Sequence, residues 1–216
     1  MAKDHKMLYR GGNAEIVEKK SRFIADTAPI GSEEDFAAFL EKVRKRYWDV
    51  KHHCFAYVLG ENAEITRCSD DGEPSGTAGR PILEVLLNSG VRNAAIVVSR
   101  YFGGVLLGTG GLVRAYSQAA KEGLAASTVA DVICGRKLEV VCDYSLMGKL
   151  QYIAAQAEVP NTDVSYTDRV ALTYMVPEDR VEELKAKMTE ATSAQAEIKQ
   201  SEALRFALVD DKVLIL

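Results

Sequence analysis

The sequence lacks any apolar run long enough to span a membrane, and its first ten residues lack the hydrophobic core of a secretory signal. These absences predict a cytoplasmic protein without membrane contact. The 216 residues are 47% hydrophobic, which excludes a disordered or fibrous protein. A chain of this length and composition can bury the core of one large domain or of two small ones.

The sequence also lacks a C-x-x-C pair. Its four cysteines have no regular spacing, which is typical of reduced thiols in a reducing compartment. His52 precedes Cys54 by two residues, but no second closely spaced ligand pair follows, so we predict no zinc site. We predict no metal and no cofactor.

No segment carries a strong excess of charge of one sign. Residues 1–134 contain 17 Lys and Arg against 17 Asp and Glu, and residues 135–216 contain 10 against 14. A protein that wraps nucleic acid by bulk positive charge is therefore not expected. Any contact with nucleic acid must be a local patch.

The most informative stretch is 94–118. It runs from an apolar strand pattern through Arg100 and five glycines into an amphipathic helix pattern that Thr109 is predicted to cap. Glycines permit positive φ and close backbone approach, and the free amides of a helix's first turn favour an anion. This predicts a phosphate or carboxylate site, although the glycines could instead only let the loop pass close under another segment.

Two common phosphate motifs are missing from this stretch. The spacing Gly103-x-x-x-x-Gly108-Thr109 lacks the lysine of a P-loop. Val113 stands where a dinucleotide fingerprint has its third glycine. We therefore reject a P-loop nucleotidase and a dinucleotide-binding fold.

The loop 69–81 supplies a second candidate, because Asp70, Asp71 and Glu73 lie close together in the sequence. Clustered carboxylates can hold a divalent cation or act as acid and base. They can equally cap the following helix or pair with nearby arginines, and we favour that architectural interpretation.

The remaining pattern predicts two units. The elements expected in the first are a hairpin of 14–18 and 22–27, a helix capped by Ser32, an antiparallel pair of 52–59 and 64–68, and a helix opened by Pro81. The second, over 138–200, has the order β-α-β-β-α-β, with helices capped by Ser145 and opened by Pro177. Residues 205–216 form one more strand-like tail without an assigned place.

Three motifs together resemble the IMPACT family, in its bacterial YigZ type. They are HHCxAY at 52–57, SDDGEPxGTAGRP at 69–81 and RYFGGxxLGxGGLVRAY at 100–116. Their order and length are specific, and they cover most of the first unit. The second unit resembles the C-terminal domain of bacterial members by the order of its elements.

The resemblance implies an α+β protein of two domains. Residues 1–134 would form an α/β two-layer domain of the superfold shared by a small-subunit ribosomal protein and domain IV of elongation factor G. Residues 135–216 would form a ferredoxin-like βαββαβ plait similar to the last domain of that factor. Both parallels point to RNA or the ribosome. Eukaryotic members of the family are implicated in translational control, and no enzymatic activity comes with the family.

The leading hypothesis is a non-catalytic cytoplasmic binding protein of translation regulation that contacts RNA or the ribosome through an anion-accepting cleft between the Gly103 loop and the Asp70 loop. The oligomeric state is not predicted. The residues predicted to contact the anion or RNA are His52, Arg80, Arg100, Tyr101, Gly103, Gly104, Gly108, Gly110, Gly111 and Arg114. Tyr57 is a further candidate for base contact.

Two other hypotheses stay open. One is an enzyme acting on a phosphorylated small molecule, with a metal held by Asp70, Asp71 or Glu73. The other is a protein-interaction module, with a translation-associated protein docked on the C-terminal sheet.

Overall fold

The computed structural model describes residues 5–210 and 212–216. Contacts divide the chain into two compact units, Met1–Asp131 and Val132–Leu216. Strand β8, defined below, contains the boundary, so its first residues belong to the first unit and the others to the second. In the described part of the chain, no helix is both long and apolar enough to cross a bilayer.

The elements of the first unit follow one another in a mixed order of strands and helices. They are β1 (Lys6–Arg10), β2 (Asn13–Glu18), β3 (Ser21–Pro29), α1 (Glu33–Arg46), β4 (His52–Leu59), β5 (Ile65–Ser69), α2 (Gly79–Ser89), β6 (Val91–Arg92), β7 (Ala94–Tyr101), α3 (Thr109–Ala125) and the start of β8 (Thr128–Cys142).

Five of these strands form one sheet in the order β2-β3-β7-β4-β5, with every neighbouring pair antiparallel. Helices α2 and α3 cover one face and α1 covers the other. The central strand β7 is buried on both faces, which explains its continuous apolar run AAIVV at 94–98. The sheet with α2 and α3 gives the two predicted layers, and α1 adds another on the opposite face.

Local sequence signals explain most of the element boundaries. Lys19 and Lys20 have φ of 44° and 68°, and such a pair of positive φ values forms the two-residue turn of a twisted hairpin. The Ser32 side chain accepts a hydrogen bond from the amide of Asp35 and caps α1, as predicted.

Two predicted caps are wrong. The N-cap of α3 is Gly108, and Thr109 is the first helical residue, so its hydroxyl is one position too late to cap. The helix that Ser145 was predicted to cap begins at Tyr144 after Asp143, and it has no side-chain cap. Helix α2, which was predicted to begin at Pro81, begins two residues earlier, at Gly79.

The second unit continues β8 and adds eight elements. They are α4 (Tyr144–Gln156), β9 (Asn161–Tyr166), β10 (Val170–Pro177), a 3₁₀ turn (Glu178–Arg180), α5 (Val181–Ala191), β11 (Glu197–Gln200), β12 (Leu204–Val209) and β13 (Lys212–Ile215).

Four strands of the second unit form an antiparallel sheet in the order β11-β8-β10-β9. This is the strand order of a ferredoxin-like βαββαβ plait, and α4 and α5 pack on it around one apolar core. The two-domain α+β fold is therefore confirmed. The tail that the sequence left unplaced forms a hairpin, in which β12 pairs with the part of β8 before Arg136.

Candidate functional site

The sequence-predicted site residues come together at one end of the five-stranded sheet, which we call the loop end. There β3 and β4 begin and β7 ends, as the facing pairs Arg22–Tyr101 and His52–Arg100 show. Helices α2 and α3 also begin at this end because each follows a strand that ends there. The loop end thus gathers the Lys19–Lys20 turn, the loop 70–78 and the loop 102–108.

Asp70 holds the loop 70–78 in place. One carboxylate oxygen accepts hydrogen bonds from the amides of Ala78 and Gly79 at 2.9 and 2.8 Å, and the other accepts one from Gly76 at 2.8 Å. Burial raises the pKa of Asp70, but the three amide donors outweigh it and hold the pKa below its usual range. Asp70 therefore caps the start of α2.

Asp71 connects the same loop to β4. Its carboxylate accepts a hydrogen bond from the His53 amide at 2.6 Å and lies 3.5 Å from the guanidinium of Arg44. Its carbonyl oxygen lies 2.7 Å from Nδ1 of His52. His53 itself is buried, and its Nδ1 lies 2.9 Å from Ser99 Oγ. Burial lowers the pKa of His53 below 6.5.

Glu73 and Arg100 form a buried ion pair, with Arg100 Nη1 donating to Glu73 Oε1 at 2.7 Å. The Tyr116 hydroxyl donates to the same oxygen at 2.8 Å, and the Cys54 thiol donates to that hydroxyl at 3.4 Å. Burial raises the pKa of Tyr116 and raises that of Cys54 to about 12, so both stay protonated at neutral pH.

This network corrects the predicted role of Arg100. Its side chain is only 8% exposed and its guanidinium is bound to Glu73 and Ser21. Ile96, Val98 and Arg100 are spaced two residues apart on β7, so their side chains lie on the same buried face of the sheet. Arg100 is an internal partner and is left out of the ligand contacts proposed below.

The three carboxylates of the loop 70–78 have separate partners. Over residues 5–210 and 212–216, no three or more His, Cys, Asp or Glu side chains are grouped so that they could hold a metal ion. The separate hydrogen-bond and ion-pair partners of these carboxylates support the architectural interpretation.

The other predicted side chains differ in accessibility. Arg80 is exposed on α2 and pairs with Glu84 at 3.1 Å. The Tyr101 hydroxyl donates to Asp49 at 2.8 Å. Tyr57 is buried on the α1 face with its hydroxyl bonded to Glu33, so it does not reach a base.

The glycine loop is held against the β2–β3 turn. The Gly103 amide donates to Ser21 Oγ at 3.1 Å, and a Cβ at Gly103 would lie 2.0 Å from the Lys20 carbonyl carbon. Gly104 and Gly108 have φ of 80° and 72°, values that favour glycine.

The amides at the start of α3 remain available to a ligand. The first intrahelical bond of α3 runs from the Leu112 amide to the Gly108 carbonyl. The amides of residues 109–111 therefore precede the helical hydrogen-bond ladder. A Cβ at Gly110 would meet only the end of the Arg114 side chain, at 3.7 Å, so the turn is open at this position, whereas the Leu107 side chain packs against Gly111.

A groove of about 430 Å³ runs between β2 and the exposed side of α3. The charged side chains in its lining are Glu18, Lys19, Arg114 and Lys121. The three cations are exposed and form no ion pair within the described residues. The groove is a basic surface next to the open amides of α3, and we call it the α3 groove.

Three exposed side chains near the loop end were not predicted as site residues. Trp48, Phe102 and Leu106 are 82%, 59% and 83% exposed. The single tryptophan of the chain follows a basic helix end, and Phe102 and Leu106 lie among the glycines of their loop. A large apolar residue within a polar or glycine-rich segment was the sequence signal from which these three residues could have been predicted as exposed.

Two family models match the chain. The Impact N-terminal domain matches residues 19–124, and a domain of unknown function (DUF1949) matches residues 140–195. The IMPACT family member YvyE of Bacillus subtilis (strain 168) is 38% identical over 191 residues, which cover 88% of each chain. The IMPACT family member YigZ of Escherichia coli (strain K12) is 37% identical, over 80% of this chain and 85% of that protein.

One solved structure supports the fold. A crystal structure of a hypothetical protein aligns with a TM-score of 0.59 and 32% identity over 92% of this chain and 97% of that one. The two-domain translational regulator Yih1 aligns over 55% of this chain and 47% of its own at 25% identity, but its TM-score of 0.37 is too low to carry an argument. The family models and the two bacterial relatives together show that this chain belongs to the IMPACT family.

Proposed function

We propose that this protein is a non-catalytic cytoplasmic binding protein of translation regulation that contacts RNA, free or in the ribosome, through the α3 groove. Family membership supports the translation role, because eukaryotic IMPACT proteins are implicated in translational control. The four free thiols fit a reducing compartment. The observation that carries RNA contact is the α3 groove beside the first turn of α3.

The α3 groove has the features of a phosphate-binding surface. Lys19, Arg114 and Lys121 supply positive charge that no carboxylate of residues 5–210 and 212–216 neutralises by an ion pair. The open amides of residues 109–111 point out of the positive end of the α3 dipole. A phosphate can approach the turn at Gly110, where a Cβ would meet only the end of the Arg114 side chain. Such contacts position RNA without reading its sequence.

The first experiment measures binding of a structured RNA at low salt to the whole chain and to the variant Arg114→Ala with Lys121→Ala. We expect the affinity to fall at least tenfold, since two phosphate contacts are lost. The matched control is Lys42→Ala with Lys45→Ala, which removes two exposed cations from α1, on the opposite face of the sheet. The control changes the net charge equally and should bind as the parent does.

Equal losses in both double variants would show that only the overall charge matters and would refute the groove as the binding surface. Absence of saturable binding by the parent chain at low salt would refute RNA contact itself. Co-sedimentation of the same three proteins with ribosomes then separates contact in the ribosome from contact with free RNA.

A further inference from the structure

The loop 102–108 presents apolar side chains to solvent. Phe102, Val105 and Leu106 are 59%, 41% and 83% exposed, and Trp48 in the α1–β4 connection is 82% exposed. Soluble proteins expose single apolar residues at random, but a group of them beside a candidate binding surface indicates contact with a partner. Asp49, next to Trp48, accepts the hydrogen bond of Tyr101, next to Phe102, so the two segments are joined.

The base of the loop is fixed in a way that keeps Phe102 exposed. The guanidinium of Arg100 lies 5.5 Å from the centre of the Phe102 ring, on the core side of the loop. Gly103 packs on the backbone of Lys20 without room for a Cβ. The Arg100 guanidinium therefore lies over the core side of the Phe102 ring, and the rest of the ring is exposed to solvent.

Positively charged side chains surround these apolar groups and favour a negatively charged binding partner. Lys19 and Lys20 form the turn on which Gly103 packs, and Lys51 follows Trp48 by three residues. None of the three lysines has an ion-pair partner among the described residues. The fitting partner combines negative charge with flat apolar surfaces.

An unpaired nucleotide has this combination, since its phosphate is charged and its base offers a free face. A continuous duplex does not, because its bases are stacked on one another and their faces are hidden. Aromatic side chains that stack on successive bases within a basic surface are the usual means of binding single strands.

We propose that Trp48 and Phe102 stack on unpaired bases of the RNA, so that the ligand of the loop end is single-stranded or looped RNA and not uninterrupted duplex. This proposal rests on the RNA contact proposed above. The phosphates of the same strand continue into the α3 groove, and Leu106 adds an apolar contact at the tip of the loop.

The test compares an oligo(U) RNA of about 12 nucleotides, a length within the usual site size of one binding fold, with a duplex carrying the same number of phosphates. Binding is measured with the whole chain by fluorescence anisotropy of labelled RNA. Emission of Trp48, the chain's single tryptophan, is recorded in parallel with unlabelled RNA. The variant is Phe102→Ala, and the control is Tyr152→Ala, which removes a ring that is 65% exposed on α4.

We expect the parent chain to bind the unpaired RNA at least tenfold more tightly than the duplex, with a change in Trp48 emission at saturation. Phe102→Ala should lose most of that preference, and Tyr152→Ala should keep it. Equal affinities for the two RNAs, a preference retained in Phe102→Ala, or unchanged Trp48 emission would overturn the proposal while the RNA contact stands. If neither RNA binds at low salt, the proposed function itself fails.

Discussion

At the scale of single residues, the structure separates two arginines that the sequence treats alike. Arg100 and Arg114 flank the same glycine loop, but Arg100 is buried against Glu73 whereas Arg114 is exposed in the α3 groove. A buried ion pair is a weak net contribution to stability, yet removal of one partner leaves an uncompensated buried charge. Arg100 therefore depends on Glu73.

We predict that Glu73→Gln lowers the free energy of unfolding by about 3–5 kcal/mol, because Arg100 then keeps its charge in the core without a counter-charge. Urea unfolding followed by circular dichroism measures the change. The matched control is Glu15→Gln, which breaks the pair of Glu15 with Arg22 at the exposed edge of β2 and β3. Exposed pairs contribute little, so this variant should unfold almost as the parent does. Equal effects of the two variants would contradict the buried-pair argument.

His53 predicts a pH dependence of stability. Burial lowers its pKa below 6.5, so between the two pKa values the unfolded chain binds more protons than the folded one. Stability therefore rises with pH in this window and is lost as the pH falls below 6.5. Asp26, whose pKa burial raises, contributes a slope of opposite sign in the acid range.

We predict that His53→Gln flattens the fall in the free energy of unfolding between about pH 7 and pH 5, relative to the parent chain. The amide of glutamine can keep a hydrogen bond to Ser99 without gaining a charge. Since Asp26 is present in both proteins, its contribution cancels in the difference between the two curves. Urea unfolding across this pH range measures that difference, and parallel curves for the two proteins would refute the assignment.

At the scale of the elements, the glycines of the loop 102–108 and of α4 have opposite effects on stability. Gly103 has no room for a side chain because the Lys20 backbone lies against it. Gly148 lies on the exposed surface of α4, where a Cβ would meet nothing within 4 Å. The first glycine is required by packing, and the second only weakens its helix.

We predict that Gly103→Ala destabilises the first unit and moves the loop, since its Cβ would overlap the Lys20 backbone at 2.0 Å. Gly148→Ala should instead stabilise the chain by about 0.5–1 kcal/mol, the usual gain in a helix interior. Thermal unfolding of both variants gives the two signs. A Gly103→Ala protein as stable as the parent would show that the loop adapts and that its packing on the turn is loose.

Secondary-structure elements could be predicted from the sequence more reliably than contacts between distant side chains, for a physical reason. The β2–β3 hairpin, the Ser32 cap and the plait follow from local periodicity and turn chemistry, which neighbouring residues decide. The exposure of Arg114 could also be predicted, because the apolar spacing of α3 places it on the solvent side of the helix. The pairing of Arg100 with Glu73 spans 27 residues, and no local pattern contains it. The only local signal was the two-residue spacing of Ile96, Val98 and Arg100, which places the Arg100 side chain on the same face of the strand as two core residues.

At the scale of the whole molecule, the two units differ in charge. The first unit has 17 cationic and 17 acidic residues, whereas the second, from Val132 on, has 10 and 14 and carries the whole net charge of −4. An anionic ligand is therefore not drawn by the net charge of either unit. Its binding has to depend on a few grouped cations, such as those of the α3 groove, which have no ion-pair partner in the part of the chain that the structure describes.

This distribution predicts a shallow dependence of RNA affinity on salt. Each phosphate that a single strand loses to a cation contributes about 0.7 to the slope of log Kd against log salt. Lys19, Arg114 and Lys121 together should therefore contribute about 2 to the slope, and Lys20 and Lys51 at the loop end bring it to at most about 3.5. Arg114→Ala with Lys121→Ala should lower the slope by about 1.4, and Lys42→Ala with Lys45→Ala should leave it unchanged. Titrations of the unpaired RNA across a series of KCl concentrations measure the slope. A slope of about 5 or more would mean that far more cations than those of the groove neutralise the RNA. A slope near zero would mean that phosphate contacts contribute nothing, and the groove would then be excluded as the RNA-binding surface.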